Sequence, residues 1–493
     1  MSGALRDRVL GSLTWSFFEQ SGTKFVTLLV QILLARILSP DLFGILAILL
    51  VFVNVADSIA QSGLGTALIQ RENVTDADYS TAFWLSLSIG LASYAVLFFA
   101  APFLSALYGV SDLTLLLRVL ALRIPINSFI SIQRSFLQRA LDFKKLFGTS
   151  FCAAVISGMA GVVAACVGLG IWSLIIQIIV QSFLSCFFML LLVPWKPAIA
   201  FDAVLAKRLF SYGWKISATG VIDAIYSGTS ELVIGKTCSI SDLGYYSQGR
   251  KWPNTGIGIL STTMQNVLFP AFSAIKSDPG RLRGAIAKAL VTGSFVVVPT
   301  SVFLIVAAEP VVTLLLTDKW IACVPIFQTT CVGCCTLLLQ LVNLRAYMAL
   351  GHSGLYLGLE IVKTLVSGAL ICATALLTAN IYYVAIATMV SGLISVIGID
   401  LWPAKKILQY SRLQQMKDLA PIIVASIASA AMTFPVSLLP VSNVIALVGE
   451  TLVFFGSYLL IARVFRMDGL SECISIAKGI RKRTSRERKD DSL

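Results

Sequence analysis

Long apolar segments follow one another along the chain with only short polar turns between them, and this succession constrains the fold more than any other feature. About 20 consecutive apolar residues suffice for a helix to cross a bilayer. The runs are continuous rather than alternating with period two, which excludes a transmembrane β-barrel. We therefore predict an all-α polytopic membrane protein with about 14 transmembrane helices. The predicted spans are 12–35, 43–66, 80–104, 113–138, 147–168, 171–193, 209–235, 244–270, 285–307, 322–349, 356–378, 380–402, 418–438 and 441–464.

Composition limits what chemistry the chain can carry. Of its 493 residues 57% are apolar and 13% are charged, so little remains for an aqueous catalytic domain once the spans are subtracted. We find no phosphate-binding glycine loop and no nucleophile elbow with a histidine partner. His352 is the single histidine, and the ten cysteines lie mostly within apolar runs. We therefore expect no enzymatic activity, no cofactor and no metal site. The first apolar segment is expected to be a retained span rather than a cleaved signal peptide.

Lysine and arginine residues are distributed unequally between the two sets of connecting loops. One set, which includes both ends of the chain, carries most of them, whereas the opposite set carries only Arg36, Lys236 and Lys319. Because cytoplasmic loops are enriched in Lys and Arg, both termini are predicted to be cytoplasmic. The formal net charge of +13 follows from this topology. The basic tail is either a solvated end or a contact for anionic membrane lipids or a cytoplasmic partner, and we expect no nucleic-acid partner.

A short internal repeat relates span one to span seven. Leu10–Trp15 is similar to Leu209–Trp214, and the later turn Ser39–Gly44 is similar to Ser241–Gly244. Six spans separate the copies, so both halves enter the membrane in the same direction as parallel repeats, an architecture suited to alternating access through a central cavity. The predicted domains are a six-helix lobe at 1–208, a second at 209–417, two additional helices at 418–464 and a basic cytoplasmic tail at 465–493.

Charged and polar residues inside the spans indicate where a substrate binds, because a charge in the bilayer is expensive and tends to face a cavity. In span four, Arg123, Asn127, Arg134 and Gln138 are spaced by 4, 7 and 4 residues, which places them on one helix face. Guanidinium groups bind phosphate oxygens well, so this face is suited to an anionic group such as a pyrophosphate. The candidate substrate-binding residues are Arg118, Arg123, Asn127, Arg134, Arg250, Lys251, Lys24, Asn54 and Gln61.

Acidic residues in the spans are candidates for coupling transport to a proton or sodium gradient. Asp57 shares a face of span two with Asn54 and Gln61, and Asp223 lies near the middle of span seven. Two alternatives stay open: Asp223 is a static partner for a cavity arginine, and individual basic residues such as Arg134 reach out to the membrane interface. The candidate ion-coupling residues are Asp57, Asp223, Glu231 and Glu19.

Several motifs carry a family resemblance. Leu34–Gly44, Gly63–Gln70 and Leu137–Leu146 resemble the polysaccharide-exporter branch of the MOP (MATE-like) superfamily, in the subgroup of Wzx-type colanic acid, exopolysaccharide and teichuronic acid translocases. The resemblance covers nearly the whole chain, with its motifs concentrated in the first 150 residues. It supplies no residue-level signature for the ligand, so the candidate residues above come from helix faces and charge alone.

The resemblance implies a function in cell-surface or extracellular polysaccharide biosynthesis. Members flip an undecaprenyl-pyrophosphate-linked oligosaccharide across the bacterial cytoplasmic membrane, with an ion gradient as the expected energy source. A polymerase or glycosyltransferase complex is an expected partner. Three alternatives are weighed: a flippase for the peptidoglycan lipid precursor, a MATE-type exporter of cationic drugs, and an outer-face polysaccharide polymerase or ligase. The net basic set of residues in the spans disfavours a drug-cation cavity, and the short outer loops disfavour the polymerase.

Overall fold

The computed structural model describes residues 3–61, 63–71, 74–140, 142–439, 442–473 and 475. Packing divides the chain into two compact units, residues 1–247 and 248–493. The first unit contains nine helices within its described residues, and a tenth begins in it. These are α1 (Gly3–Ile37), α2 (Pro40–Gln61), α3 (Leu64–Gln70), α4 (Asp76–Tyr108), α5 (Leu113–Ala121), α6 (Arg123–Arg139), α7 (Phe143–Cys166), α8 (Ile171–Leu192), α9 (Ala203–Thr237) and α10 (Ile240–Ala274).

The second unit contains the remainder of α10 and nine further α-helices in its described part. A short 3₁₀ helix (Asp318–Cys323) precedes α13, and a π-helix (Ile394–Asp400) continues α16. The α-helices are α11 (Pro279–Val306), α12 (Ala308–Leu316), α13 (Val324–Cys334), α14 (Leu337–Ala349), α15 (Ser353–Thr378), α16 (Ile381–Leu393), α17 (Ala404–Leu408), α18 (Arg412–Ser437) and α19 (Asn443–Val464).

Fourteen long helical segments are present in the part of the chain that the structure describes. Eleven of them are long and apolar enough to cross a membrane. Three of these eleven segments combine neighbouring helices: α5 with α6, the 3₁₀ helix with α13 and α14, and α16 with its π-helix. The other three, α1, α9 and α10, are each 35 residues long and more polar. All fourteen coincide with the predicted spans, which confirms the all-α fold. The division into lobes at residues 208 and 209 stays a prediction.

Glycines at helix crossings allow the helices of the first unit to pack closely. A Cβ atom on Gly158 of α7 would lie 2.3 Å from Val30 of α1, and one on Gly161 would lie 2.7 Å from Gln177 of α8. Small residues at such crossings let backbones approach where lipid supplies no hydrophobic driving force between helices. Helices α1, α7 and α8 are therefore held together by close van der Waals packing.

The two copies of the repeated turn meet in the first unit. A Cβ atom on Gly44 of α2 would lie 2.0 Å from the carbonyl oxygen of Ile240, and one on Gly244 of α10 would lie 1.9 Å from the carbonyl oxygen of Pro40. The first turns of α2 and α10 are thus in backbone contact at both glycines. This contact explains why each copy of the repeat has glycine at that position.

Two of the motifs behind the family resemblance, Gly63–Gln70 and Leu137–Leu146, lie together in the first unit. Arg71 and Asp78 form an ion pair at 3.1 Å beside the start of α4. Arg139, at the end of α6, donates hydrogen bonds to the carbonyl oxygens of Leu68, at 2.7 Å, and of Arg71. A guanidinium bonded to the last carbonyls of a helix stabilises its C-terminus, so these motifs fix the position of α3 against α6.

The second unit has its own core, built where α11, α14, α18 and α19 pack together. Asn343 of α14 and Gln415 of α18 exchange two side-chain hydrogen bonds, at 2.8 and 3.0 Å, and both residues are fully buried. The Tyr458 hydroxyl of α19 donates to the carbonyl oxygen of Phe295 at 3.1 Å. These bonds give specific registers to helices that pack together mainly through apolar side chains.

Candidate functional site

A polar cavity of about 720 Å³ lies within the first unit. Parts of α2, α3, α6, α7, α8 and α9 surround it. Polar cavities of this size between membrane helices are the usual place for a hydrophilic ligand. The polar side chains lining it are Asp57, Ser58, Gln61, Arg123, Asn127, Ser131, Arg134, Ser135, Gln138, Ser150, Gln181, Ser182, Ser185 and Ser217.

Helix α6 contributes the longest polar face. Arg123, Asn127, Arg134 and Gln138 all line the cavity, so the structure brings together the four residues that the spacing placed on one face. Ser131 and Ser135 fill the same face between them. Because Arg123 and Arg134 are 11 residues apart on a helix that rises 1.5 Å per residue, their Cα atoms are separated by about 16 Å. The cavity therefore has two cationic positions along its length.

Arg123 is bound to an acidic partner on the neighbouring helix. One of its terminal nitrogens, Nη2, lies 3.2 Å from Oδ2 of Asp57 in α2. The side-chain amide of Asn127 donates to the same carboxylate oxygen at 3.0 Å. The Asp57 side chain is 5% exposed and that of Arg123 22%, so the guanidinium is the more accessible partner of the pair. The structure thus joins a predicted ion-coupling residue to two predicted binding residues.

The end of α2 brings Gln61 into the cavity and turns the chain into α3. Gly63 has a φ of 60°, a left-handed conformation that glycine adopts without strain. A Cβ atom on Gly65, at the start of α3, would lie 2.3 Å from the Ser135 hydroxyl of α6. Both glycines line the cavity. This turn therefore closes one side of it with backbone rather than side chains.

One wall consists of residues that sequence reasoning missed. Gln181, Ser182 and Ser185 of α8 line the cavity, as do Ser150 of α7 and Ser217 of α9. The signal for α8 was present, since these polar residues interrupt a helix that is otherwise strongly apolar. Amide and hydroxyl groups can donate and accept hydrogen bonds, so this wall can hydrogen-bond a hydroxyl-rich ligand without adding charge.

Three predicted binding residues of the first unit lie elsewhere. Arg118 in α5 packs on α4: its guanidinium lies 4.1 Å from the ring centre of Phe98, and Nε donates to the Phe98 carbonyl oxygen at 3.2 Å. Asn54 is exposed on α2, and Lys24 is half-buried on α1. None of the three lines the 720 Å³ cavity.

The predicted acidic residues other than Asp57 are also outside the cavity lining. Asp223 is exposed on α9, and Glu231 is half-buried and accepts a hydrogen bond from Ser230 at 3.2 Å. The side chain of Glu19 lies outside the described part of the chain. In the second unit, Arg250 and Lys251 are half-buried at neighbouring positions of α10, with the Lys251 ammonium 5.9 Å from the Trp252 ring centre.

The second unit holds its own group of buried charges. Lys363 and Glu360 of α15 form an ion pair at 2.7 Å, the pairing expected of residues three positions apart on a helix. Asp400, which ends the π-helix, is fully buried near this pair. Among the described residues no group of three His, Cys, Asp or Glu side chains is placed to hold a metal ion.

The fold is similar to that of solved membrane transporters. The lipid II flippase MurJ in its inward closed conformation matches it with a TM-score of 0.76 and 16% identity, over 92% of this chain and 99% of that one. An inward-facing multidrug resistance MATE family transporter of the MOP superfamily matches with a TM-score of 0.64 and 14% identity, over 78% and 95%. The protein is a multi-pass membrane protein with the fold of these transporters.

Sequence comparison gives the family. The succinoglycan biosynthesis transport protein ExoT of Rhizobium meliloti is 28% identical over 317 residues, which is 63% of each chain. The lipopolysaccharide biosynthesis protein WzxC of Escherichia coli is 24% identical over 67% of each chain, and the teichuronic acid biosynthesis protein TuaB of Bacillus subtilis 24% over 55% and 57%. The chain thus matches slightly less than two thirds of ExoT. It belongs to the polysaccharide biosynthesis protein family, whose pattern it matches over residues 33–325. The resemblance to the polysaccharide exporters of the MOP superfamily is confirmed.

Proposed function

We propose that this protein flips an undecaprenyl-pyrophosphate-linked oligosaccharide across the bacterial cytoplasmic membrane, for cell-surface or extracellular polysaccharide biosynthesis. The observation that carries the proposal is the cavity of the first unit, which contains Arg123, with its partner Asp57, and Arg134 among many uncharged hydrogen-bonding side chains. Arginine suits the phosphate oxygens of such a ligand. The serine and glutamine wall suits its sugar hydroxyls.

The orientation follows from the loop charges. With both termini in the cytoplasm, span four, which includes α6, runs from outside to inside, so Arg134 lies nearer the cytoplasm than Arg123. The C-terminal half of α2, with Asp57 and Gln61, lies on the cytoplasmic side by the same argument. The cavity is thus placed to receive a ligand from the cytoplasmic leaflet, where lipid-linked precursors are assembled.

The proposal assigns roles within the cavity. Arg123 and Arg134 bind the anionic headgroup, Asn127 and Gln61 provide further hydrogen bonds, and Asp57 responds to the headgroup or to a coupling proton or sodium ion. Roles for Arg118, Lys24, Asn54, Arg250 and Lys251 in substrate binding, and for Asp223, Glu231 and Glu19 in coupling, stay predictions. A polymerase or glycosyltransferase complex that takes the flipped product on the outer face is the proposed partner.

The relatives and the cavity favour this substrate class over the alternatives. ExoT, WzxC and TuaB are named for polysaccharide biosynthesis, and MurJ, named a lipid II flippase, shares the fold. The peptidoglycan precursor is therefore the closest competitor, because it too is a lipid-linked saccharide. A cationic drug is disfavoured, since Asp57, the one acidic side chain lining the cavity among the described residues, is already paired with Arg123.

The test is complementation in cells depleted of the protein. Arg123→Gln and Arg134→Gln are each expected to reduce polymer export at least about tenfold, the equivalent of one lost charge-assisted interaction of about 1.4 kcal/mol, while lipid-linked repeat units accumulate. Arg281→Gln, which removes an exposed arginine from the first turn of α11, is the matched control. Normal export by both cavity variants at normal membrane levels would contradict the proposal. Accumulation of peptidoglycan precursor instead of repeat units would favour the competitor.

A further inference from the structure

We propose that Asp57 is a resident anion that occupies Arg123 while the cavity is empty and is displaced when the anionic headgroup of the substrate arrives. This inference rests on the proposed function, since it requires an anionic ligand at Arg123. It adds a mechanism by which the same site both binds and releases that ligand.

The ion pair uses only part of the hydrogen-bonding capacity of the Asp57 carboxylate and the Arg123 guanidinium. Arg123 and Asn127 both bond to Oδ2 of Asp57, at 3.2 and 3.0 Å. The other carboxylate oxygen, Oδ1, and the Arg123 Nε atom are both buried, and neither has a hydrogen-bond partner among the described residues. A pair built only for stability would match the guanidinium fork to both oxygens, which is the stronger arrangement. The contact is therefore weaker than the one a phosphate group can make with Arg123.

The burial of the two side chains gives the direction of the exchange. Both residues line the cavity, and Arg123 is the more exposed partner, at 22% against 5%. A ligand in the cavity therefore has more access to the guanidinium than to the carboxylate. A phosphate group can therefore take over the exposed nitrogens of Arg123 while Asp57 stays in place on α2, bonded to Asn127.

The positions of the two arginines along α6 give the order in which an entering anionic group contacts them. Arg134 is exposed in the cavity and lies about 16 Å along α6 from Arg123. An anionic group entering from the end near Arg134 reaches this position first and the Asp57–Arg123 pair second. No covalent bond changes in the exchange: Arg123 replaces its hydrogen bond to Asp57 with one or two hydrogen bonds to phosphate oxygens.

Displacement leaves a buried carboxylate with a single amide donor, which is unfavourable. The ligand must overcome this penalty, so its affinity for the cavity is lower than Arg123 alone would allow. The same penalty favours release, because Asp57 regains Arg123 when the ligand leaves. Removal of the Asp57 charge is therefore expected to tighten binding and to slow transport.

The experiment measures binding of inorganic pyrophosphate and of farnesyl pyrophosphate to the purified full-length protein by calorimetry. Asp57→Asn is expected to raise the affinity for both probes about tenfold or more. Asp57→Ser, which introduces a smaller side chain, is the second variant if Asp57→Asn does not fold. Arg123→Gln is expected to abolish the gain when combined with Asp57→Asn. Asp112→Asn, an exposed residue whose side chain makes no capping bond to α5, removes the same charge as a control.

The outcomes distinguish failure of the exchange from failure of the proposed function. If Asp57→Asn and Asp57→Ser bind both probes no more tightly than the wild type while Arg123→Gln loses binding, the exchange is wrong and the proposed function stands. If the Arg123→Gln and Arg134→Gln variants bind both probes like the wild type, the anion site itself is wrong and both proposals fall. Tighter binding of farnesyl pyrophosphate than of inorganic pyrophosphate assigns the site to a lipid headgroup, and equal binding assigns it to the phosphate groups alone.

Discussion

Replacing Gly244 with alanine should open the outer end of the first unit. The added methyl group would lie 1.9 Å from the Pro40 carbonyl oxygen, whereas real Cβ atoms essentially never approach closer than 3.0 Å. The first turns of α2 and α10 must then separate by at least about 1.1 Å. Since the obstacle is backbone, no side chain can rotate away to relieve it.

The size of the effect follows from the packing. Adding a methyl group to a closely packed site costs about 1–3 kcal/mol. Because the added group here meets backbone atoms, we expect a cost in the upper part of that range. If the contact forms only when the outer end is closed, about 2–3 kcal/mol shifts the equilibrium toward the open state by roughly 30- to 150-fold. The loop charges predict that the first turns of α2 and α10 face the outside.

Labelling from outside the cell measures this shift. A cysteine-free variant with one cysteine at Ser131, which lines the cavity, is exposed in spheroplasts to a membrane-impermeant maleimide. Gly244→Ala is expected to raise the labelling rate by roughly 30- to 150-fold, in proportion to the open state. Gly148→Ala is the matched control, because a Cβ atom there meets nothing within 4 Å. Equal labelling of the two variants, both folded and inserted, would refute the argument.

Two further predictions concern the second unit and are measured by thermal unfolding of the purified protein. Lys363→Met should lower the free energy of unfolding by about 3–5 kcal/mol, because it leaves the half-buried carboxylate of Glu360 and the nearby, fully buried Asp400 without their cation. The double variant with Glu360→Leu should recover part of the loss. A single variant as stable as the wild type would contradict this. Gln415→Leu should cost about 1–3 kcal/mol, because it leaves the buried Asn343 Oδ1 without a donor while Nδ2 keeps its bond to the Leu339 carbonyl oxygen. Ser426→Ala, whose hydroxyl bonds only to its own helix, should cost less. Equal losses would show that the Asn343–Gln415 bonds add nothing.

Sequence reasoning predicted the spans well because each depends on a local property, the length of an apolar run. Even α9, where Lys215, Asp223 and Glu231 interrupt the apolar pattern, is found over Ala203–Thr237. The polar face of α6 was predictable for a similar reason. The angle between Arg123 and Gln138 follows from the geometry of one helix and needs no knowledge of its neighbours.

Contacts between helices were not predictable in the same way. Nothing in the spacing of either span says that Asp57 of α2 meets Arg123 of α6, because the rotation of one helix against another depends on side-chain packing along both. Arg118 illustrates the same point, since its position on Phe98 depends on how α5 lies against α4. The close approach of Gly44 and Gly244 was visible in the sequence only as a repeated turn.

The central claim, that this protein moves a lipid-linked oligosaccharide between leaflets, is tested most directly in depleted cells. Lipid-linked oligosaccharides are extracted from spheroplasts after treatment with a membrane-impermeant enzyme that modifies sugars, so that only units in the outer leaflet change mass. We predict that complete repeat units accumulate unmodified in the inner leaflet and that the wild-type protein, but not Arg123→Gln, restores their modification. Repeat units that reach the outer leaflet in depleted cells and remain unpolymerised there would contradict the claim.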